Sequence, residues 1–202
     1  MDDIVVRGMA KWPNVPAVYG WLSLDRRGHW TIKGERIGNP LVTEFIGRNY
    51  LHDERGCWYF QNGPQRVFVS IQSTPLVLRI VGAAGTPLAI EAHTGRPVVN
   101  VSGAWIDENG TILLETELGP GTIHDRDLEQ LLPYLIDANG NPLPEPVLDE
   151  LMVLAEHGKP VPLWLKFRDS NIKVEPVAAR DVPRRFGFVA QPEPPAGDEV
   201  CR

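Results

Sequence analysis

The chain has 202 residues, of which 43% are hydrophobic and 23% charged, and it carries a formal net charge of −6. Such a chain buries a real core in one domain or two small lobes, which excludes global disorder and a disulfide scaffold. Two cysteines, Cys57 and Cys201, and an acidic opening without an apolar leader point to reduced thiols in the cytoplasm.

The charge is uneven, because residues 1–80 hold ten Lys and Arg against seven Asp and Glu, while the remainder holds ten against nineteen. The basic residues Arg26, Arg27, Arg48, Arg55 and Arg66 are interleaved with Asp25, Glu44, Asp53 and Glu54. No clustered basic stripe exists, so a nucleic-acid platform is not expected. A membrane span needs roughly 18 consecutive apolar residues. The run from 74 to 90 contains Arg79 and is broken by Pro75, Gly82, Gly85 and Pro87, so no span is expected.

In chain order, residues 1–18 read as an N-terminal arm containing Trp12-Pro13-Asn14-Val15-Pro16, a segment suited to covering a hydrophobic groove. A first turn, Asp25-Arg26-Arg27-Gly28-His29-Trp30, is repeated as Asp53-Glu54-Arg55-Gly56-Cys57-Trp58. In each, the Asp side chain is placed to accept from amides ahead of it while Gly takes the left-handed conformation. Between them the spacing predicts a helix over 40–50, with Asn39 as N-cap, Pro40 at the first position, and Leu41, Val42, Phe45 and Ile46 on one face. Trp21, Leu22 and Leu24 precede the first turn, and Trp58 and Phe60 follow the second, an alternation that predicts strands with one buried face. Asn62-Gly63-Pro64 turns the chain into Val67–Ile71, and a further hairpin is expected around Gly82–Gly85.

Two reduced copies of the turn follow, Asp107-Glu108-Asn109-Gly110 and Asp137-Ala138-Asn139-Gly140. They flank a second helix expected over 125–134, which Pro133 stops or bends. A third helix is expected over 146–157, then strands over 161–167 and 172–177. The Pro-rich stretch 191–202 has nothing to bury and reads as a disordered tail. The expected architecture is α+β: two repeated β-hairpin, helix, β-hairpin units in a mostly antiparallel sheet with about three helices, the lobes spanning 19–100 and 101–190.

The segments Ala10-Lys11-Trp12-Pro13-Asn14-Val15-Pro16, Gly20-Trp21-Leu22 and Gly56 to Val67 resemble a family of bacterial proteins of unknown function. More distantly, the Gly28-His29-Trp30 hairpin, the helix at Pro40, the Asp53 turn and the helix from Val147 to Ala155 are similar to another uncharacterised bacterial family of duplicated β-rich architecture. That likeness implies a signalling or regulatory role and brings no catalytic residue with it.

The five histidines, His29, His52, His93, His124 and His157, show no metal-ligand spacing, so no metal and no cofactor is expected. The cluster at His124-Asp125-Arg126-Asp127 reads as a helix cap. Asp137 and Asp107 open like calcium loops but lack the closing glutamate, with Leu148 and Leu118 in that place. Cys57 reads as strand packing. The candidate binding residues are Arg55, Trp58, Tyr59, Asn62, Gln65 and Arg66, where amides, arginines and aromatics adjoin a constrained turn suited to a peptide or small anionic ligand. The expected function is a non-enzymatic regulatory or protein-interaction module; nothing in the sequence fixes an oligomeric state. The alternative is a small-molecule-binding or hydrolytic protein using His52, Asp53 and Arg66 in a cleft between lobes.

Overall fold

The computed structural model describes residues 1–12, 15–83, 85–143, 153, 154, 157, 159, 162–195, 200 and 201. The helix expected over 146–157 falls for the greater part outside these residues. The described chain is α+β, with fifteen strands and four α-helices. It divides into two compact units: 1–75 with 93–95 and 187–202, and 76–92 with 96–186.

The first unit opens with helix α1 (Asp3–Lys11) inside the expected N-terminal arm. Its strands are β1 (Ala17–Leu24), β2 (Trp30–Ile32), β3 (Glu35–Arg36), β4 (Tyr50–His52), β5 (Trp58–Asn62) and β6 (Gln65–Ile71). Helix α2 (Pro40–Arg48) joins β3 to β4, and the Asn39 side chain caps it by accepting from the Leu41 amide at 3.0 Å. The sheet order is β3-β2-β1-β6-β5-β4, with β1 and β6 parallel and the other neighbours antiparallel. A two-residue strand, β15 (Val200–Cys201), lies parallel to β1. The stretch expected to be a disordered tail thus includes a sheet-paired segment.

The second unit carries β7 (Leu76–Ile80), β8 (Ile90–Ala92), β9 (Val101–Ile106), β10 (Ile112–Thr116), β11 (Gly119–Ile123), β12 (Leu135–Ile136), β13 (Trp164–Phe167) and β14 (Ser170–Pro176). Between β11 and β12 the expected helix over 125–134 is a 3-10 turn, the short α3 (Leu128–Leu131) and a second 3-10 turn holding Pro133. Helix α4 (Val182–Arg185) follows β14. The sheet order is β12-β13-β14-β9-β10-β11-β7-β8. Strands β7 and β8, which the sequence reading groups with the first lobe, hydrogen-bond into this sheet through the parallel β11·β7 pair.

Apart from β7 and β8, the two units share one connectivity. The path β3-β2-β1-β6-β5-β4 corresponds strand for strand to β11-β10-β9-β14-β13-β12, and each pairing has the same sense, including the parallel β9·β14 pair. A helical segment joins the third to the fourth strand in both.

The four Asp turns are the local cause. Asp25, Asp53, Asp107 and Asp137 each accept, on one carboxylate oxygen, the amides two and four residues ahead at 2.8 to 3.0 Å. The glycine three residues on donates to the Asp carbonyl in all four, with φ between +76° and +85°. One side chain thereby satisfies two amides that a reversing backbone leaves unpaired.

The sheet in the first unit is covered on both faces, not one. Strand β5 has Trp58, Tyr59, Phe60 and Gln61 all buried. Ile46 of α2 is buried on one side, with Phe45 edge-on to Phe60 at 5.5 Å. On the other side Cys57, Tyr59 and Phe68 form a cluster with Tyr19, Leu51 and Val189. Alternating strands buried on both faces give an apolar run instead of a clean alternation.

Candidate functional site

The β5–β6 hairpin turns at Gly63-Pro64, with Asn62 opposite Gln65 and Gly63 at a φ of +56°. Glycine first and proline second suit a two-residue hairpin that needs one positive φ. Gln61 Nε2 donates to the Gly63 carbonyl at 2.9 Å, and Gln65 Nε2 donates to the Pro16 carbonyl at 3.0 Å. Helix α1 rests on the same turn, since a Cβ on Gly8 would lie 3.4 Å from Gly63 Cα and Pro64 Cδ. The turn therefore reverses the chain and seats α1.

Strand alternation divides the six candidate residues between two faces. Trp58, Asn62 and Gln65 share the α2 face; Tyr59 and Arg66 share the other, where Arg55 joins them. Trp58 is a core residue, with its ring 4.8 Å from Tyr50 and 5.0 Å from His52. Asn62 and Gln65 stand at a cleft of about 240 Å³ whose wall is formed by Trp21, Ile32, Val42 and Phe60. Ile32 is 45% exposed, Val42 41%, and Leu41, in the first turn of α2, 73%. Lys33 Nζ lies 4.0 Å over the Trp21 ring.

On the second face Tyr19 lies flat on Phe68, with centroids 4.4 Å apart, and the Arg66 guanidinium stands 4.8 Å over Tyr59. Arg55 bonds Asp53 through Nε and Nη2 at 2.9 Å each and stands 5.6 Å from the Phe68 centroid. Hydrogen bonds to Tyr19 and Asp53 raise the Arg55 pKa further, fixing its charge. Burial pushes the Asp53 carboxyl up, but the Cys57 amide and Arg55 outweigh it and hold the group below its usual range. Burial, aided by Asp53, raises the Cys57 thiol, which disfavours a nucleophilic thiolate. Arg55 is spent on Asp53, whereas Arg66 keeps its charge at the surface.

His52 packs at a tilt against Trp58 on the α2 face, while Arg66 stands on the opposite one, so His52 and Arg66 do not converge. His29 bonds the Asp25 carboxylate at 2.9 Å, and His157 Nδ1 lies 2.8 Å from the Val153 carbonyl. His124 caps its 3-10 turn by accepting from the Arg126 amide at 3.1 Å. One oxygen of each of the Asp107 and Asp137 carboxylates accepts from its own turn amides. Among the described residues no group of three or more His, Cys, Asp or Glu is placed to hold a metal, and no helix is long and apolar enough to cross a membrane.

Sequence reasoning passed over Tyr19, Ile32 and Val42 as site residues. Their signal was an apolar side chain at a position that the hairpin or helix leaves at the surface, visible only once the partner strand is known.

No curated protein matches the chain. Among solved structures it is similar to a DUF1285 family protein from Silicibacter pomeroyi DSS-3, with a TM-score of 0.55 and 15% identity over 81% of this chain and 85% of that one. At that identity the likeness concerns the fold alone. A DUF1285 family protein from Shewanella baltica OS155 aligns over 57% of this chain and 90% of its own, with a TM-score of 0.40 and 17% identity. The family model described as "Protein of unknown function (DUF2946)" matches residues 1–193, and the chain belongs to that family.

Proposed function

We propose that the protein is a non-enzymatic interaction module, built by duplication of one six-stranded unit, that binds a partner protein through the α2 face of its first unit. The observation that carries this reading is the apolar cleft beside α2, lined by the exposed Ile32 and Val42 and a half-buried Trp21, with the exposed Leu41 next to Val42 in the first turn of the helix. Apolar side chains gathered at a concave surface are stabilised by burial against a partner, at roughly 25 cal/mol per Å² removed from water. Asn62 adds an amide group to the lining of the cleft, which suits recognition of peptide backbone, while the Gln65 amide beside it holds the Pro16 carbonyl.

Arg66, exposed over Tyr59, supplies a second and independent contact for an acidic group on the opposite face. A regulatory or signalling role in the cytoplasm fits such a module, and a reduced, buried Cys57 fits that setting.

The test is affinity capture from a lysate of the source organism, using the full chain and its Leu41→Asp, Val42→Asp and Arg66→Ala variants. Partners retained by the wild type are expected to be lost with the two acidic substitutions, while thermal stability changes little. Trp58→Ala is unsuited as a contact probe, because it empties a core position and is expected to cost about 3 to 5 kcal/mol. Capture indifferent to Val42, which lines the cleft, would remove the cleft from the reading, and indifference to Leu41 as well would remove the α2 face.

A further inference from the structure

The two edges of β1 are used unequally. Strand β6 pairs along one edge from Val18 to Leu24. On the other edge β2 pairs only with Leu22, Ser23 and Leu24. A bulge with Gly20 at a φ of +74° separates that section from the start of the strand. The Lys33 amide just past β2 reaches the Trp21 carbonyl at 2.8 Å, and among the described residues no hairpin strand pairs with the opening stretch of β1 on that edge.

Residues 200 and 201 of the same chain occupy that position. Val200 lies opposite Ala17 and Cys201 opposite Val18, parallel to β1. Val18 also lines the apolar cleft together with Trp21 and Ile32, so a chain laid on this edge runs beside the cleft. An open strand edge is a template for another extended chain, with the ladder giving affinity and flanking pockets giving specificity.

From this seating we infer that the start of β1 is a strand-addition site for an extended segment of a partner protein, and that residues 200–201 occupy it at rest. The inference rests on the interaction reading above and names the conformation of the segment bound. A two-residue ladder is the shortest that registers as a strand. A partner segment that continues along the edge and reaches the cleft makes the same backbone bonds and adds side-chain burial, so it displaces the resident pair. The segment it fits is extended, lacks proline at the paired positions and carries an apolar residue toward the cleft.

The probe is a fluorescent peptide of residues 191–202, titrated against the full chain and against the full chain carrying Val200→Pro, with anisotropy as the readout. Proline is poorly accommodated within a strand pair and is expected to free the edge. The Val200→Pro chain is expected to bind the peptide saturably and about tenfold or more tightly than the wild type, whose own tethered segment competes at high effective concentration. Amide exchange at residues 17–20 is expected to quicken in the variant and to slow again when peptide is added. A chain ending at Pro195 is expected to behave as Val200→Pro does. Equal affinity for wild type and both variants, no binding to any, or unchanged exchange at 17–20 would overturn the inference. If the peptide result fails while Leu41→Asp and Val42→Asp still abolish partner capture, the strand site falls and the interaction surface stands; if both fail, both readings fall.

Discussion

Arg79 and Asp127 form a two-pronged ion pair, Nε to Oδ2 at 2.6 Å and Nη2 to Oδ1 at 3.0 Å, that ties the turn before α3 to strand β7. The same carboxylate accepts from the Ile80 amide at 3.0 Å, and its side chain is 2% exposed against 49% for Arg79. Burial pushes the Asp127 carboxyl up, but Arg79 and the Ile80 amide prevail and hold it below its usual range. Asp127→Ala is expected to destabilise the chain by about 3 kcal/mol, because it strands a strand amide and ends the tie. Arg79→Met, which leaves a buried carboxylate short of a partner, is expected to cost a similar amount. Urea unfolding of both variants and the double mutant checks this, and costs that simply add would show that the two side chains act separately.

The ring of His93 packs 5.3 Å from Trp30 and 6.0 Å from Tyr50, with its Nε2 buried. Burial lowers its pKa to about 3, with Asp25 opposing weakly. Unfolded histidine titrates near 6.5, so between these values the unfolded chain holds a proton that the native one does not. Stability from this group is full above pH 6.5 and is lost as pH falls below it. On moving from pH 7 to 4.5 the wild type is expected to lose about 2 kcal/mol more than His93→Leu, measured by urea midpoints at the two pH values.

Gly56 and Gly140 occupy the same place in two Asp turns and have different surroundings. Gly56, at a φ of +76°, has no room for a Cβ because the backbone of Gly187 and Phe188 lies there, and its carbonyl accepts from the Val189 amide at 3.0 Å. Gly140, at +85°, has nothing within 4 Å of that position. Gly140→Ala is expected to cost about 1 kcal/mol, the conformational term alone. Gly56→Ala is expected to cost at least about 3 kcal/mol, since it also displaces the 187–189 segment. Thermal melts of the two variants compare them directly.

Cys57 is 4% exposed, with a thiol raised by burial and by Asp53. In a Cys201→Ser background it is expected to resist alkylation at pH 7.5 in the native protein and to react fully in denaturant. Rapid native labelling would overturn its role as a packing residue.

Much of the fold is legible in the sequence because its signals are local. An Asp and a Gly three apart specify a turn whatever lies beyond it, and Asn39-Pro40 marks the start of α2 without reference to the sheet. The parallel pairs β1·β6 and β9·β14 are different in kind, since Leu22 meets Val69 and Ala104 meets Val174 through no local cue. Helix α1 escapes notice because it buries a single residue, Val5, leaves Ile4 and Val6 exposed, and places Gly8 in its middle so that it approaches the Gly63-Pro64 turn. The six candidate side chains suffered from the same blindness. Adjacency along β5 and β6 concealed that neighbours in sequence stand on opposite faces, while Tyr19 and Val42, distant in sequence, complete the two surfaces.

The parallel seam between β1 and β6 has a consequence for assembly. The six hairpin strands of the first unit form two short meanders, β1-β2-β3 and β4-β5-β6, and the parallel β1·β6 seam sews one to the other. Closing it brings together residues nearly fifty positions apart, the slow entropic step for a chain otherwise folded by nearest neighbours. The helical crossover between the meanders is thus where such a unit divides most naturally, into halves that carry their own turns and find each other along one seam.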